Sequence, residues 1–416
     1  MEKKSIKKYK SNIKKMKNTS KYKGNELKYL KLVLDKKLPK RANSWCQKLE
    51  EEFAKKYKKK YAVSFNSGTS TLHAALIACG VKPGDEVISP ALTVIMDTSA
   101  TIHAHAIPVY ADVNENDFTI SPEEIEKKIT KKTKAIIVVS IAGQSPKMEI
   151  IKKIALKHKI KIIEDNAQSS FSTYKKKLIG HYGDISSFSF ENSKHLSCGE
   201  GGITITNNPT LAKIMRKIGN HGFIKLNQNS NSIKFKVKDL LNPNLKRHDE
   251  IGWNYRMSEF SAAIALAQFE KAKKLGNLRI QSANYFLNVI RQYPDFFIPQ
   301  KTYHDSFNSY WTVAARYQGD KNRGISQKVF KKKYLQMGGD IIRGSWSVPY
   351  LEPVISKNKF KKIDKNIYKN ISYKKGICPV AEKIQKQLMI FKANYRNLKL
   401  AKIQSRLLLQ TIKSFT

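Results

Sequence analysis

Cysteine, acidic residues, arginine and long apolar runs are all scarce in this 416-residue chain. Its four cysteines, Cys46, Cys79, Cys198 and Cys378, lie far apart, with no CxxC pair and no Cys/His spacing of a zinc site. Free buried thiols and no metal are therefore the expectation. The longest clean apolar stretches, such as AIIVVSIA at 135–142, fall far short of the roughly 20 residues that a membrane span requires. Ten lysines and no apolar segment in the first 24 residues exclude a signal peptide there. These absences predict a soluble, cytoplasmic protein with no membrane span.

What is abundant is lysine. Lys and Arg total 78 against 33 Asp and Glu, a formal charge of +45. Such an excess is the electrostatic footprint of a nucleic-acid or anionic-membrane binder. Only 11 of the cations are arginine, however, and base-edge readers and phosphate clamps draw heavily on arginine forks. The other 67 are lysines spread along the whole chain beside much Asn and Ile, the pattern of an A+T-rich coding bias. We read the charge as compositional background, with no nucleic-acid partner. An apolar content of 41% suffices for a proper core in two or three domains.

The first 24 residues, lysine-rich and nearly free of acids, read as a basic tail, either solvated or a frayed helix. From Leu49 a helical pattern runs into a strand ending at Phe65. Strand-like runs at 86–89, 106–111, 135–139, 161–165, 186–190 and 202–206 then alternate with helical runs at 72–80, 93–105, from Ser121 and at 148–158. This alternation predicts an α/β fold, a mostly parallel central sheet with helices on both faces. Ligands in such sheets gather at the carboxyl ends of the strands. A polar loop over 222–250 and a strongly amphipathic helix capped by Ser258 and closed by Gly276 follow. The chain thus divides into a basic tail (1–24), a large domain (25–282) and a smaller C-terminal α/β domain (283–416).

Four segments carry chemistry when taken together. NSGTS at 66–70 sits at a strand-to-helix turn, where small residues let backbone N–H groups approach a phosphate, although a plain helix cap explains it equally well. EDNAQ at 164–168 puts acids at a strand end, either as a cap or as a functional carboxylate. GDISSFSFENSK at 183–194 ends in a lysine ahead of the glycine-rich GEGG at 199–202. That context holds an amine over the sheet edge, where desolvation lowers its pKa toward nucleophilic use. GWNYRM at 252–257 opens the helix capped by Ser258.

In this order and spacing, NSGTSTLHAAL, EDNAQS, GDISSFSFENSKHLSCGEGG and GWNYRMSEFSAAIALAQFEK resemble the DegT/DnrJ/EryC1/StrS family, pyridoxal-phosphate-dependent sugar aminotransferases of fold type I. The resemblance is strong over about 24–275 and looser beyond. It implies that Lys194 holds pyridoxal 5'-phosphate as a Schiff base and later moves the substrate proton. Asp165 is implied to pair with the pyridine nitrogen, so that the ring acts as an electron sink. Gln168 is implied near the phenolic oxygen, Gly68, Thr69 and Ser189 at the phosphate, and Asn254 at the phosphate of the neighbouring subunit in a homodimer with shared active sites. One departure is Val94, implied at the cofactor ring, where an aliphatic side chain can still pack on the ring face but the family usually places a stacking aromatic residue. Some relatives replace the lysine with histidine and become dehydratases, but the five-residue spacing to Gly199 puts Lys194, not His195, at that position. His103 and His105 read as structural. The implied reaction is amino transfer, with glutamate as donor, to a keto group of a nucleotide-diphosphate-linked sugar for amino-sugar and surface-polysaccharide biosynthesis. A dehydratase on the same scaffold and a non-catalytic basic nucleic-acid-binding protein are the alternatives.

Overall fold

The computed structural model describes residues 20–224 and 236–416. Most of the basic tail and the middle of the polar loop over 222–250 lie outside the described residues.

The large unit is built on seven strands: β1 (Tyr61–Phe65), β2 (Glu86–Pro90), β3 (Ile107–Ala111), β4 (Thr133–Val139), β5 (Lys161–Asp165), β6 (Ile185–Ser189) and β7 (Gly202–Thr206). Their spatial order is β1-β7-β6-β5-β4-β2-β3. β7 pairs antiparallel with both its neighbours and the remaining pairs are parallel, so six strands share one direction. The inner strands read as continuous apolar runs because both faces are covered. Along β4, Ile137 and Val139 enter one core with helix α3 (Gly68–Ala78), while Ile136 and Val138 enter another with α6 (Met148–Lys157).

Local chemistry sets most helix starts. Ser44 caps α2 (Trp45–Tyr57), Ser67 caps α3, and Ser121 with Pro122 opens α5 (Pro122–Lys128), in each case through the serine hydroxyl and a first-turn N–H. Asn208 does the same for α7 (Pro209–Ile218) and Ser258 for α8 (Glu259–Glu270). Helix α4 starts at Met96 and ends at His103, later than the expected position 93, since 91–95 crosses over the end of β2 and Thr93 bonds forward to Asp97. Helix α1 (Glu26–Leu34) packs on α8.

Gly276 does not close the helix that follows Ser258. The break falls at Lys271, and α9 (Ala272–Ile290) runs straight through Gly276. A helical glycine costs about 1 kcal/mol relative to alanine, and burial of Ser282, Ala283, Phe286 and Leu287 further along α9 outweighs it. Nor is α8 strongly amphipathic. Its alanines and Leu266 are buried between α1 and α2, while Phe260 is exposed.

The C-terminal part forms a second sheet, β8 (Phe297–Pro299), β9 (Thr312–Tyr317), β10 (Arg343–Gly344) and β11 (Leu388–Lys392), in the order β8-β9-β11-β10. Its core joins Phe286, Phe297, Phe330 and Phe391 to Leu408 of the last helix, Leu398–Lys413. Residues 348–384, C-terminal to the expected boundary, pack instead against the large sheet. Tyr368 donates to the carbonyls of Ile102 and Ala106, and the Asp112 carboxylate accepts the N–H groups of Val380 and Ala381 at a helix start. A three-stranded ribbon of Thr173–Tyr174, Lys177–Leu178 and Ser306–Phe307 adds a further tie between the two parts.

Candidate active site

The carboxyl ends of β5 and β6 and the N-terminus of α3 converge on one point. Ser67 caps α3 and accepts from Ser70 N–H, and its own N–H donates to the Ser70 hydroxyl oxygen to complete a capping box. The N–H groups of Gly68 and Thr69 in that first turn have no acceptor among the described residues. Ser189, the last residue of β6, lies against them: a Cβ on Gly68 would stand 2.9 Å from that of Ser189. Gly202 permits the approach from the other side, since its own Cβ would meet the Ser67 carbonyl oxygen at 2.5 Å. Open N–H donors, a serine hydroxyl and the positive end of a helix form a cradle for a dianion.

On the other side of β6 lies Asp165, fully buried at the end of β5, with Oδ1 accepting the Ala167 N–H at 2.9 Å. Burial raises its pKa, opposed by that N–H and by the Lys194 ammonium. Gln168 is buried too, and its Oε1 accepts the Ala142 N–H at 2.9 Å, which leaves its amide N–H groups to donate. Ala142 holds a left-handed φ of 55° and Gly143 one of 104°, where a Cβ on Gly143 would meet Asn308 Oδ1 at 2.2 Å. Such strain beside a site is maintained by its surroundings, here the Ser172 hydroxyl donating to the Gly143 carbonyl.

Lys194 follows a turn that Glu191 organises by accepting from the Ser193 N–H and hydroxyl. Its Nζ lies 4.4 Å from the centre of the Trp311 ring, which stacks on Trp346 at 5.6 Å. Burial pulls the Lys194 pKa down, against the pull of Asp165 and Glu191. Arg279 of α9 clamps the turn: Nη2 donates to the carbonyls of Ser193 and Lys194 at 2.8 and 2.7 Å, and Nη1 to that of Trp311 at 2.9 Å. Burial and then Arg396 bring Arg279 down to about 9, so it remains a cation at neutral pH. In the described end of the basic tail Lys21 is buried here, its Nζ donating to Asn192 Oδ1 at 2.7 Å, while residues 20 and 22–24 are exposed.

Of the residues expected from sequence, Gly68, Thr69, Ser189, Asp165, Gln168 and Lys194 all border this region. Val94 is half-buried beside the end of β2. Asn254 is exposed, anchored by its carbonyl to Asn66 Nδ2 and by a bridge to Asn220. His195 is buried, and its Nε2 lies 3.1 Å from both the carbonyl and the hydroxyl of Ser309. Burial drives its pKa far down, so the ring is neutral and structural. His105 contacts Asp364 at 3.3 Å, whereas His103 is exposed. All four cysteines are free and buried. Asp97, Arg279 and Trp311 were not singled out from sequence.

The chain matches the profile of the DegT/DnrJ/EryC1/StrS aminotransferase family over residues 21–390. It belongs to that family. GDP-perosamine synthase of Escherichia coli O157:H7 is 35% identical over 291 residues, 70% of this chain and 74% of that protein. An aminotransferase of Psychrobacter cryohalolentis superposes with a TM-score of 0.80 at 25% identity, covering 96% of this chain and 98% of its own. The GDP-4-keto-6-deoxy-D-mannose-3-dehydratase of E. coli, solved with bound hydrated PLP, shares the fold with a TM-score of 0.77 at 23% identity, covering 95% and 98%. Pyridoxal phosphate is the family's cofactor, and the residues present fit such a group: open N–H donors at the start of α3 suit a phosphate, a buried acid ends β5, and a partly desolvated lysine interacts with that acid. Among the described residues no helix is long and apolar enough to cross a membrane.

Proposed function

We propose that this chain transfers an amino group from L-glutamate to the keto carbon of a nucleotide-diphosphate-linked sugar, working in the cytoplasm as a homodimer in which Asn254 completes the partner's site. The carrying observation is that Lys194, and not His195, is the cation that interacts with the buried Asp165, while the His195 ring is held by Ser309. Pyridoxal phosphate, when bound, supplies an aldehyde for exchange with amines and an electron sink for the carbanion. Gly68 and Thr69 N–H with the Ser189 hydroxyl hold its phosphate, and Gln168 donates to its phenolic oxygen. Asp165, as a carboxylate, would accept the hydrogen bond of the protonated ring nitrogen and so keep the proton there. With the cofactor bound, Lys194 Nζ would take the proton from the donor's α-carbon and, in the second half-reaction, would return a proton to the sugar carbon. Its lowered pKa favours the free amine this requires.

The exposed setting of Asn254 and its fixed backbone support a role across a subunit interface. Four buried thiols without a bridge suit a reducing compartment. The name of the E. coli relative supports GDP-linked sugars as first substrates to try.

The test is incubation of the protein, pyridoxal phosphate and glutamate with 3-keto and 4-keto sugars linked to GDP, UDP and dTDP, followed by mass detection of the amino-sugar. Product from wild type and none from Lys194→Ala is the expected result. No amino-sugar across the panel overturns the nucleotide-sugar reading, and a deoxygenated sugar formed equally by Lys194→Ala overturns it in favour of a dehydratase.

A further inference from the structure

Two carboxyl groups meet at the ring-nitrogen end of the site. Asp97, in the first turn of α4, is completely buried, and its Oδ2 accepts the Thr93 hydroxyl at 2.8 Å. Its other oxygen, Oδ1, is buried with no donor among the described residues. The two side chains lie within hydrogen-bonding reach of one another, and Asp165 already accepts from Ala167 N–H. No Lys, Arg or His forms an ion pair with Asp97 among the described residues. The groups facing it are Asp165 from β5, Lys194 from the turn after β6, Thr93 from the crossing segment and Tyr110 of β3, whose hydroxyl bonds Thr98 one residue along α4. Two bare carboxylates in contact and out of water repel strongly, and such pairs share one proton.

We propose that Asp97 holds that shared proton and donates it in a hydrogen bond from Oδ1 to Asp165, making Asp97 the positioning residue that keeps Asp165 a fixed anion. The arrangement is directional. Thr93 uses its hydroxyl hydrogen on Asp97 Oδ2, so the free Oδ1 carries the hydrogen toward Asp165. Burial and the Asp165 charge hold Asp97 well above the ordinary carboxylate range, in keeping with a neutral acid. A carboxylate that accepts such a bond is a weaker base, so a proton shared with the cofactor's pyridine stays on the ring nitrogen. Asp97 thereby tunes the electron sink without touching the cofactor. This rests on reading Asp165 as the partner of that nitrogen.

Asparagine reproduces the neutral acid's shape and can donate through Nδ2, whereas alanine cannot. The test therefore compares wild type, Asp97→Asn, Asp97→Ala and Asp165→Asn by three measurements on the full chain. These are pyridoxal phosphate affinity by spectral titration, the pH midpoint of the bound cofactor's visible absorption, and the pH dependence of thermal stability without cofactor. Asp97→Asn is expected to keep affinity within about threefold and the spectral midpoint within about 0.3 unit, while Asp97→Ala weakens binding about tenfold and moves the midpoint by about one unit. The cofactor-free readout follows from linkage. A carboxyl whose folded pKa is raised holds a proton the unfolded chain has lost, so wild type loses stability as pH rises above about 4 until the folded pKa is reached. Asp97→Asn removes that loss and gains on wild type as pH rises above about 4, until the folded pKa is passed.

An Asp97→Asn protein that behaves as the alanine variant does in the spectral assays, or that fails to gain on wild type as pH rises, overturns the proposal. If Asp165→Asn leaves affinity and spectrum unchanged, the assignment of Asp165 fails instead. An effect of Asp165→Asn with none from either Asp97 variant overturns the Asp97 proposal alone.

Discussion

Replacing Arg279 by methionine tests how the turn bearing Lys194 is held. The guanidinium donates to three carbonyls at 2.7–2.9 Å, and hydrogen bonds from charged donors contribute about 1.5–3 kcal/mol each. The simple sum is about 4.5–9 kcal/mol, but two terms reduce it. Burying the cation beside Arg396 is itself costly, as its lowered pKa shows, and Ser193 and Lys194 are near enough to the surface for water to replace a donor. A net loss of about 3 kcal/mol remains. With an unfolding entropy of about 2.1 cal/mol/K per residue, 416 residues correspond to about 0.9 kcal/mol/K, so Tm of the cofactor-free protein should fall by about 3–4 °C. Lysine keeps the charge but not the fork, and Arg279→Lys should lose about half as much. Because the clamp fixes the Lys194 carbonyl, cofactor attachment, followed by its visible absorption, should slow about tenfold in Arg279→Met. Scanning calorimetry and stopped-flow absorbance measure the two effects. A Tm change below about 1 °C refutes the energetic estimate, and an unchanged attachment rate refutes the claim that the clamp positions Lys194.

Two further substitutions probe the frame around the site. Gly202→Ala drives a methyl group into the Ser67 carbonyl and the Gly68 nitrogen, so it should weaken pyridoxal phosphate binding at least tenfold, and an unchanged affinity would remove the α3 cradle from the site. Arg216→Leu strips the buried Glu50 of its partner at 2.8 Å, leaving Ser64 N–H and hydroxyl as its donors among the described residues. An uncompensated buried charge costs about 3–5 kcal/mol, measurable as a lower urea midpoint, and a loss under about 1 kcal/mol would show that water reaches Glu50.

Much of the candidate site was legible because each of its parts is set by its own neighbours in sequence. Ser67 caps the helix that Gly68 begins, Asp165 ends its strand, and Lys194 follows Ser189 by one turn, so local spacing already encodes their geometry. The residues missed from sequence act across the chain. Arg279 reaches Lys194 from 85 positions away, and Trp311 reaches Ser193 from 118. Asp97 did leave a trace, an acid inside the otherwise small or apolar run VIMDTSA, which signals either a buried polar contact or an exposed face. Gly276 misled for the complementary reason: glycine marks a helix end only where the chain must turn, and burial of the later turns of α9 carried the helix through.

The same contrast between local pattern and tertiary placement resolves the charge. Of 67 lysines only Lys21 is buried among the described residues, against three of the 11 arginines, Arg216, Arg279 and Arg316. The acids, although outnumbered, include eight buried members: Glu26, Glu50, Asp97, Asp112, Asp117, Glu164, Asp165 and Glu382. Most of these are engaged with the backbone or with one another. Glu164 accepts the N–H groups of Gly180, Tyr182 and Gly183, Asp112 those of Val380 and Ala381, and Asp97 faces Asp165. An ionised side chain is kept inside only where fixed donors replace its water, and lysine, with one mobile ammonium, meets that condition less often than a carboxylate or a guanidinium fork. The net charge therefore describes the solvated surface, while the interior is organised by the scarce charges. Lys194 stands between the two, withdrawn enough to lose part of its basicity and held beside an anion that limits the loss.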